Sequence, residues 1–205
     1  MYGSFTVLYA DAQIAVAVKP FGMVSEDTGM IAALKAYFMQ RNEPADVYLV
    51  HRLDRETGVV MVFARTREAA AYLSKQIQNG GFEKIYTAEV QGAPEPREAT
   101  LADLLFHDRQ RNKTYTVKKK RKGVKEAILR YAVAEAKTDT SLLRIRLETG
   151  RTHQIRVQMA TRAHPIVGDG KYGGKKAAFL HLWAGELSFP APNGERLRFQ
   201  LPAPF

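Results

Sequence analysis

The 205-residue chain contains no cysteine. That excludes disulfides and thiolate-bound metal ions, and it is the usage of a reducing compartment, so a cytoplasmic location is expected. Long apolar runs are missing too, and none approaches the ~20 residues that span a bilayer. The opening Met1-Tyr2-Gly3-Ser4-Phe5 has no basic stretch leading into an apolar core, so no signal peptide is expected. Internal repeats and low-complexity segments are absent. Histidine is scarce at five residues, and no His-x-x-x-His or Glu-x-x-x-His pair occurs, which argues against a metal site at His153 and His164. Acidic residues are under-represented, with 21 Asp and Glu against 31 Lys and Arg.

What remains is an ordinary globular composition, 45% hydrophobic and 25% charged. The length suits one domain over residues 1–205 or two closely joined halves, with a substantial core. A monomer is the default expectation. The net charge of +10 points to a polyanionic partner, RNA or DNA, bound through phosphates. No long basic amphipathic helix is evident, which argues against a membrane surface.

The densest chemistry lies in Val50-His51-Arg52-Leu53-Asp54-Arg55-Glu56-Thr57-Gly58. The apolar run over residues 59–64 follows it and reads as a buried strand. Asp54 sits between Arg52 and Arg55, and nearby positive charge favours an ionised carboxylate. An ionised, positioned aspartate can serve as nucleophile or base. On charge pattern alone, a structural salt bridge at the strand entrance fits better.

Along the chain, residues 6–9 and 14–18 read as a hairpin, and Lys19-Pro20-Phe21-Gly22 as a turn. Met30, Ile31, Leu34 and Phe38 give a helix over residues 30–41. Thr66 is the expected N-cap of a second helix with an Ala70, Leu73, Ile77 stripe and a Gly80-Gly81 stop. Lys84, Tyr86, Ala88 and Val90 share one strand face by period two. Arg109, Arg111 and Lys113 alternate. Lys118, Lys119, Lys120, Arg121 and Lys122 look like a hairpin tip able to embrace phosphates, or a solvated loop. Two strands follow over residues 127–136 and 141–148. Arg151 and Arg156 bracket an expected helix start, where free N–H groups favour anions. The pattern is α+β, with many strands in neighbour-pairing order and few helices.

Four separated segments together resemble the RluA-type pseudouridine synthases. They are the Lys-Pro-x-Gly turn at residue 19 and His51-Arg52-Leu53-Asp54. They continue with Lys84-x-Tyr86-x-Ala88-x-Val90-x-Gly92, then Gly150-Arg151-Thr152-His153-Gln154-Ile155-Arg156 with its trailing His164-Pro165-Ile166-Val167-Gly168-Asp169. The ending, from Leu180-His181 to Leu201-Pro202, also resembles the family. Two departures stand out: Gly58 and Val59 occupy the family's usual Ser-Gly after the aspartate, and Gln158 replaces a frequent histidine.

The resemblance implies a mixed, mostly antiparallel central sheet in two halves with an active-site cleft between them. It implies isomerisation of uridine to pseudouridine in ribosomal or transfer RNA, without metal or organic cofactor. Under it Asp54 is the nucleophile and Tyr86 packs on a flipped base. Arg52 fills the vacated space, His51 beside it contacts the RNA, and Ile155 lines the base pocket. Arg156 is the first choice to pair with Asp54, and Arg151 the second. With the first motif lying close to Met1, the S4-like RNA-binding domain fused to many members is not expected ahead of it. Two other classes stay open: a carboxylate-based glycoside or nucleoside hydrolase using Asp54 with Glu56 or Glu26, and a non-catalytic RNA-binding or ribosome assembly factor.

Overall fold

The computed structural model describes residues 5–205; Met1 to Ser4, where the leader reading falls, lie outside the described residues. In chain order the elements are β1 (Thr6–Ala10), β2 (Ile14–Lys19), α1 (Met30–Met39), β3 (Tyr48–Leu49), β4 (Gly58–Ala64), α2 (Arg67–Gln78) and β5 (Glu83–Gln91). They continue with β6 (Glu98–Asp108), β7 (Lys113–Val117), β8 (Val124–Ala136), β9 (Thr140–Leu147), α3 (Gln154–Thr161), β10 (Leu182–Pro190) and β11 (Arg196–Gln200). Two compact units divide at Lys84/Ile85 and again at Trp183/Ala184.

In the first unit the strands run β1-β2-β4-β10, with β3 beside β4 and β11 beside β10. The Asp11 carboxylate accepts from the Gln13 and Ile14 amides at 2.7 and 2.8 Å and closes the β1–β2 hairpin. β4 is buried at all seven positions, hence its continuous apolar run. Val60, Val62 and Ala64 pack with Ala69 and Leu73 of α2 and with Ile14, Val16 and Phe189. The Thr66 hydroxyl accepts from the Ala69 amide at 3.1 Å, the expected N-cap. Ala69 and Leu73 are the fully buried residues of α2, so its stripe is shifted from the Ala70 position expected. α1 buries Met30, Ile31, Leu34 and Phe38, as their spacing predicts.

In the second unit the order is β5-β9-β8-β6-β7, with antiparallel pairing throughout. Two consequences differ from the sequence reading. β5 pairs with β9 rather than with the next strand, so pairing does not simply follow neighbours. β7 and β8 flank opposite edges of β6, so residues 118–123 cross from one side of β6 to the other and are not a hairpin tip. The crossing is fixed on Phe106 of β6. The Arg121 guanidinium lies 5.0 Å from that ring, and Gly123, with φ of 84°, closes beside it.

α3 is buried from Gln154 to Met159. Buried polar side chains must find partners. Gln154 accepts from the Thr149 hydroxyl and the Arg151 amide at 2.9 and 3.0 Å and donates to the Ile128 carbonyl at 3.0 Å. Gln158 donates to Asp103 of β6 at 2.7 Å, and Arg162 grips the same carboxylate at 2.9 Å. These bonds seat α3 on the β6–β8 face, where Val157 meets Leu105 and Ala127. Among the described residues no helix is long and apolar enough to cross a membrane.

Leu143 sits in central strand β9 with no exposure. Leu143→Ala is expected to lower the unfolding free energy by about 2–5 kcal/mol. Urea denaturation followed by the fluorescence of Trp183, the single tryptophan, measures it.

Candidate active site

In the first unit the loop carrying Asp54 is tied to the turn after β2. Lys19 ends β2 with no exposure. Its Nζ donates to the Met23 carbonyl at 2.9 Å, the Arg55 carbonyl at 3.2 Å and the Pro20 carbonyl at 3.3 Å. The Gly22 amide donates to the Arg55 carbonyl at 2.9 Å, and Arg55 Nε donates back to the Gly22 carbonyl at 2.8 Å. Gly22 has φ of 80°, which suits a residue without Cβ. The Ser25 hydroxyl reaches the Leu53 carbonyl at 3.4 Å, and the Thr57 amide donates to the Asp54 carbonyl at 3.1 Å. Asp54, half-buried, is thus presented by backbone fixed on both sides. Burial lowers the Lys19 ammonium to about 8, opposed by the negative charges of Asp54 and Glu26. Arg52, with its side chain 76% exposed, pairs with Glu26 at 2.6 Å.

His51 stands edge-to-face on Phe82, and both its ring nitrogens are buried without a hydrogen-bond partner. Burial, and secondarily the Lys84 charge, holds its pKa well below the ordinary imidazole value. Burial also lowers Lys84 to about 8.

In the second unit Tyr86 lies buried on β5, paired across the sheet with Ile145. Arg156, on α3, is buried and makes a two-pronged contact with Asp169, Nε to Oδ2 at 2.7 Å and Nη2 to Oδ1 at 2.8 Å. Such a buried pair is stable only when both charges are present and further bonded. The Tyr172 amide supplies a further bond to the carboxylate, donating to Asp169 Oδ1 at 3.3 Å, and the loop around Asp169 is itself fixed. Gly168 has φ of 81°, and a Cβ there would collide with the Phe179 carbonyl. The Gly174 amide donates to the Asp169 carbonyl at 2.8 Å. The Arg156 guanidinium also lies 5.4 Å from the Tyr172 ring. The Tyr172 hydroxyl accepts from the Thr114 amide at 2.8 Å and lies 2.9 Å from His153 Nδ1. Burial raises its pKa. Ile155 is buried beside Arg156, and Arg151 donates Nε to the Glu126 carbonyl at 2.8 Å. Among the described residues no group of three or more His, Asp or Glu is gathered as metal ligands would be.

The family model described as RNA pseudouridylate synthase matches residues 13–161. The chain belongs to this family. An RNA pseudouridine synthase of Bacillus subtilis, YhcT, is 37% identical over 84% of the chain, and the chain spans 59% of that protein's length. The ribosomal large subunit pseudouridine synthase C of Salmonella typhimurium is 34% identical over 96% of the chain and 66% of its own length. Synthase D of Pseudomonas aeruginosa is 32% identical over 97% and 68%. The fold matches the human RNA pseudouridylate synthase domain containing 4 at a TM-score of 0.82, with 23% identity, over 97% of this chain and 88% of that one. The mixed sheet with few helices is therefore the α+β fold of the pseudouridine synthases, and the relatives named synthase C and D place the chain in the RluA-type branch.

Measured against this family, the sequence reading singled out the loop of Asp54, the strand of Tyr86 and the helix of Arg156. In the structure Arg52 pairs with Glu26, Arg55 Nε donates to the Gly22 carbonyl, and the buried cation tying down the loop is Lys19, which the sequence reading took as part of a turn. His51, read as an RNA-contacting residue, has its ring nitrogens out of solvent. Sequence reasoning missed Asp169 as the anchor of Arg156, although the Gly168-Asp169 pair after His164-Pro165 was a usable signal.

The burial of His51 sets a pH dependence. An unfolded His51 takes its proton at the ordinary imidazole pKa, whereas the folded ring resists it, so the unfolded state binds more protons as pH falls. Stability contributed by the neutral ring is full above the unfolded value and declines below it, by at most about 1.4 kcal/mol per pH unit. Urea titrations at pH 7, 6 and 5 are expected to show this decline, flattened in His51→Gln.

Proposed function

We propose that the chain isomerises uridine to pseudouridine within RNA, with Asp54 as the nucleophile. One observation carries the reading: Asp54 sits in a loop pinned from both sides by the Lys19 carbonyl cage and the Gly22–Arg55 backbone pair. Such fixing is what a positioned nucleophile needs, since reacting groups lose rate with small displacements. The reaction breaks the bond from N1 to C1′ and forms one from C5 to C1′. The C5 proton is lost and N1 gains one, so no oxidant or second substrate is needed. A carboxylate serves this chemistry by adding to C1′ or to C6.

The target base must leave its stack to be reached, at a cost of a few kcal/mol. Arg52 is suited to occupy the vacated space, because its side chain is exposed and its bond to Glu26 is a surface ion pair worth only about 0–1 kcal/mol. Tyr86 packs on the uracil and assists removal of the C5 proton. Arg156, held by Asp169, is the cation that serves Asp54, with Arg151 next in line, and Ile155 lines the pocket. His51 supports the same segment from behind. Lys118, Lys119, Lys120 and Arg121 meet phosphates of the RNA, ribosomal or transfer. No resident cofactor or metal enters the scheme. Glu26, bound to Arg52, makes a poor second carboxylate for a hydrolase.

Asp54→Asn is expected to abolish tritium release from RNA labelled at uridine C5 while leaving RNA affinity within about twofold. Turnover near wild type in that variant rejects the assignment. Free uracil among the products supports the hydrolase instead. Tyr86→Phe is expected to keep RNA affinity and lower turnover by roughly 10²–10⁴-fold, the contribution of a positioned proton-transfer group.

A further inference from the structure

Nearly all of the surplus charge sits in one place. Residues 109–125 carry nine of the 31 Lys and Arg and none of the 21 Asp and Glu, so the other 188 residues hold 22 against 21. In the fold this stretch is one continuous feature of the second unit. It is the β6–β7 turn, the strand β7 and the crossing loop. β7 is bonded on one edge only, to β6. Its five residues run ~17 Å. Arg109 and Arg111 stand exposed at one end, and residues 118–122 stand exposed at the other. Asp108 touches this surface, 3.8 Å from Arg111.

Hydrogen bonds tie down the turn end of this surface. The Asp108 carboxylate accepts from the Gln110 and Arg111 amides at 3.0 and 3.1 Å and fixes the turn. Lys171 Nζ donates to the Asn112 carbonyl at 2.8 Å, and the Thr114 amide donates to the Tyr172 hydroxyl at 2.8 Å. Lys113 Nζ lies 5.3 Å from the Tyr172 ring, which Arg156 also approaches. The basic turn is therefore fastened to the segment that holds the Asp169–Arg156 pair. It offers little for base stacking. Phe106 is covered by Arg121 and Gly123, Tyr115 is half-buried, and Met39 of the first unit is the exposed large hydrophobic among the described residues.

Cations without open rings read the backbone and not unpaired bases, since single-strand binders add aromatic platforms. We infer that residues 109–125 form a docking surface for the sugar–phosphate backbone of double-stranded RNA. The inference rests on the RNA-modifying reading above, but its test needs no turnover.

The test uses a mixed-sequence RNA duplex of about 16 base pairs and a single strand of equal length, titrated across salt concentrations. Three variants are compared: Arg109→Gln/Arg111→Gln/Lys113→Gln, Gln at all of residues 118–122, and a control of Lys35→Gln/Lys75→Gln/Arg196→Gln. Each of the first two is expected to weaken duplex binding more than tenfold at low salt and to flatten its salt slope by roughly 0.7–0.9 for every phosphate no longer neutralised. The control keeps the wild-type slope. An unchanged slope in the turn triple, or single-strand binding tighter than duplex binding in the wild type, overturns the proposal. So does capture by phosphatidylserine vesicles that depends on these residues while duplex binding does not. Missing tritium release from wild type counts against the isomerase alone, because duplex affinity is read separately.

Discussion

The ammonium of Lys19 is the constraint on which the loop of Asp54 depends. A lone cation inside a protein is unfavourable, and it is tolerated when surrounding oxygens replace its lost water. Three main-chain carbonyls do so here, and they come from two segments more than thirty residues apart in sequence. Satisfying the charge therefore requires the turn after β2 and the Asp54 loop to sit together. The Gly22 amide bonded to the Arg55 carbonyl, and Arg55 Nε bonded back to the Gly22 carbonyl, add to the same constraint. What looks like a turn signal in sequence is a clamp in the fold.

The second unit solves a related problem with a side-chain partner. α3 is buried along most of its length, so its polar residues must be bonded within the protein. Arg156 meets Asp169, Gln158 meets Asp103, and Gln154 closes the helix entrance. Asp169 reaches Arg156 because Gly168 adopts a backbone that a Cβ would block. The guanidinium is thereby held in one orientation by the fold itself.

Local features were legible in the sequence. The β1–β2 hairpin, the Thr66 cap and the α1 stripe follow from spacing and side-chain chemistry within a few residues. The loop of Asp54 and the helix of Arg156 were legible through the motifs that carry the family resemblance. Long-range pairing was not, because periodicity fixes which face of a strand is buried and leaves its neighbour open. Hence β5 finds β9, and the lysine run after β7 crosses β6 instead of turning back. Charge partners were hidden for a similar reason. Arg52 stands two residues from Asp54 in sequence, yet its Nε pairs with Glu26.

The solitary indole of Trp183 carries a practical consequence. It is 6% exposed, at the start of β10. With no second indole to average the signal, its emission wavelength and quenching describe the packing around that one strand. The molecule thus contains a native optical reporter at a known address, usable without labelling.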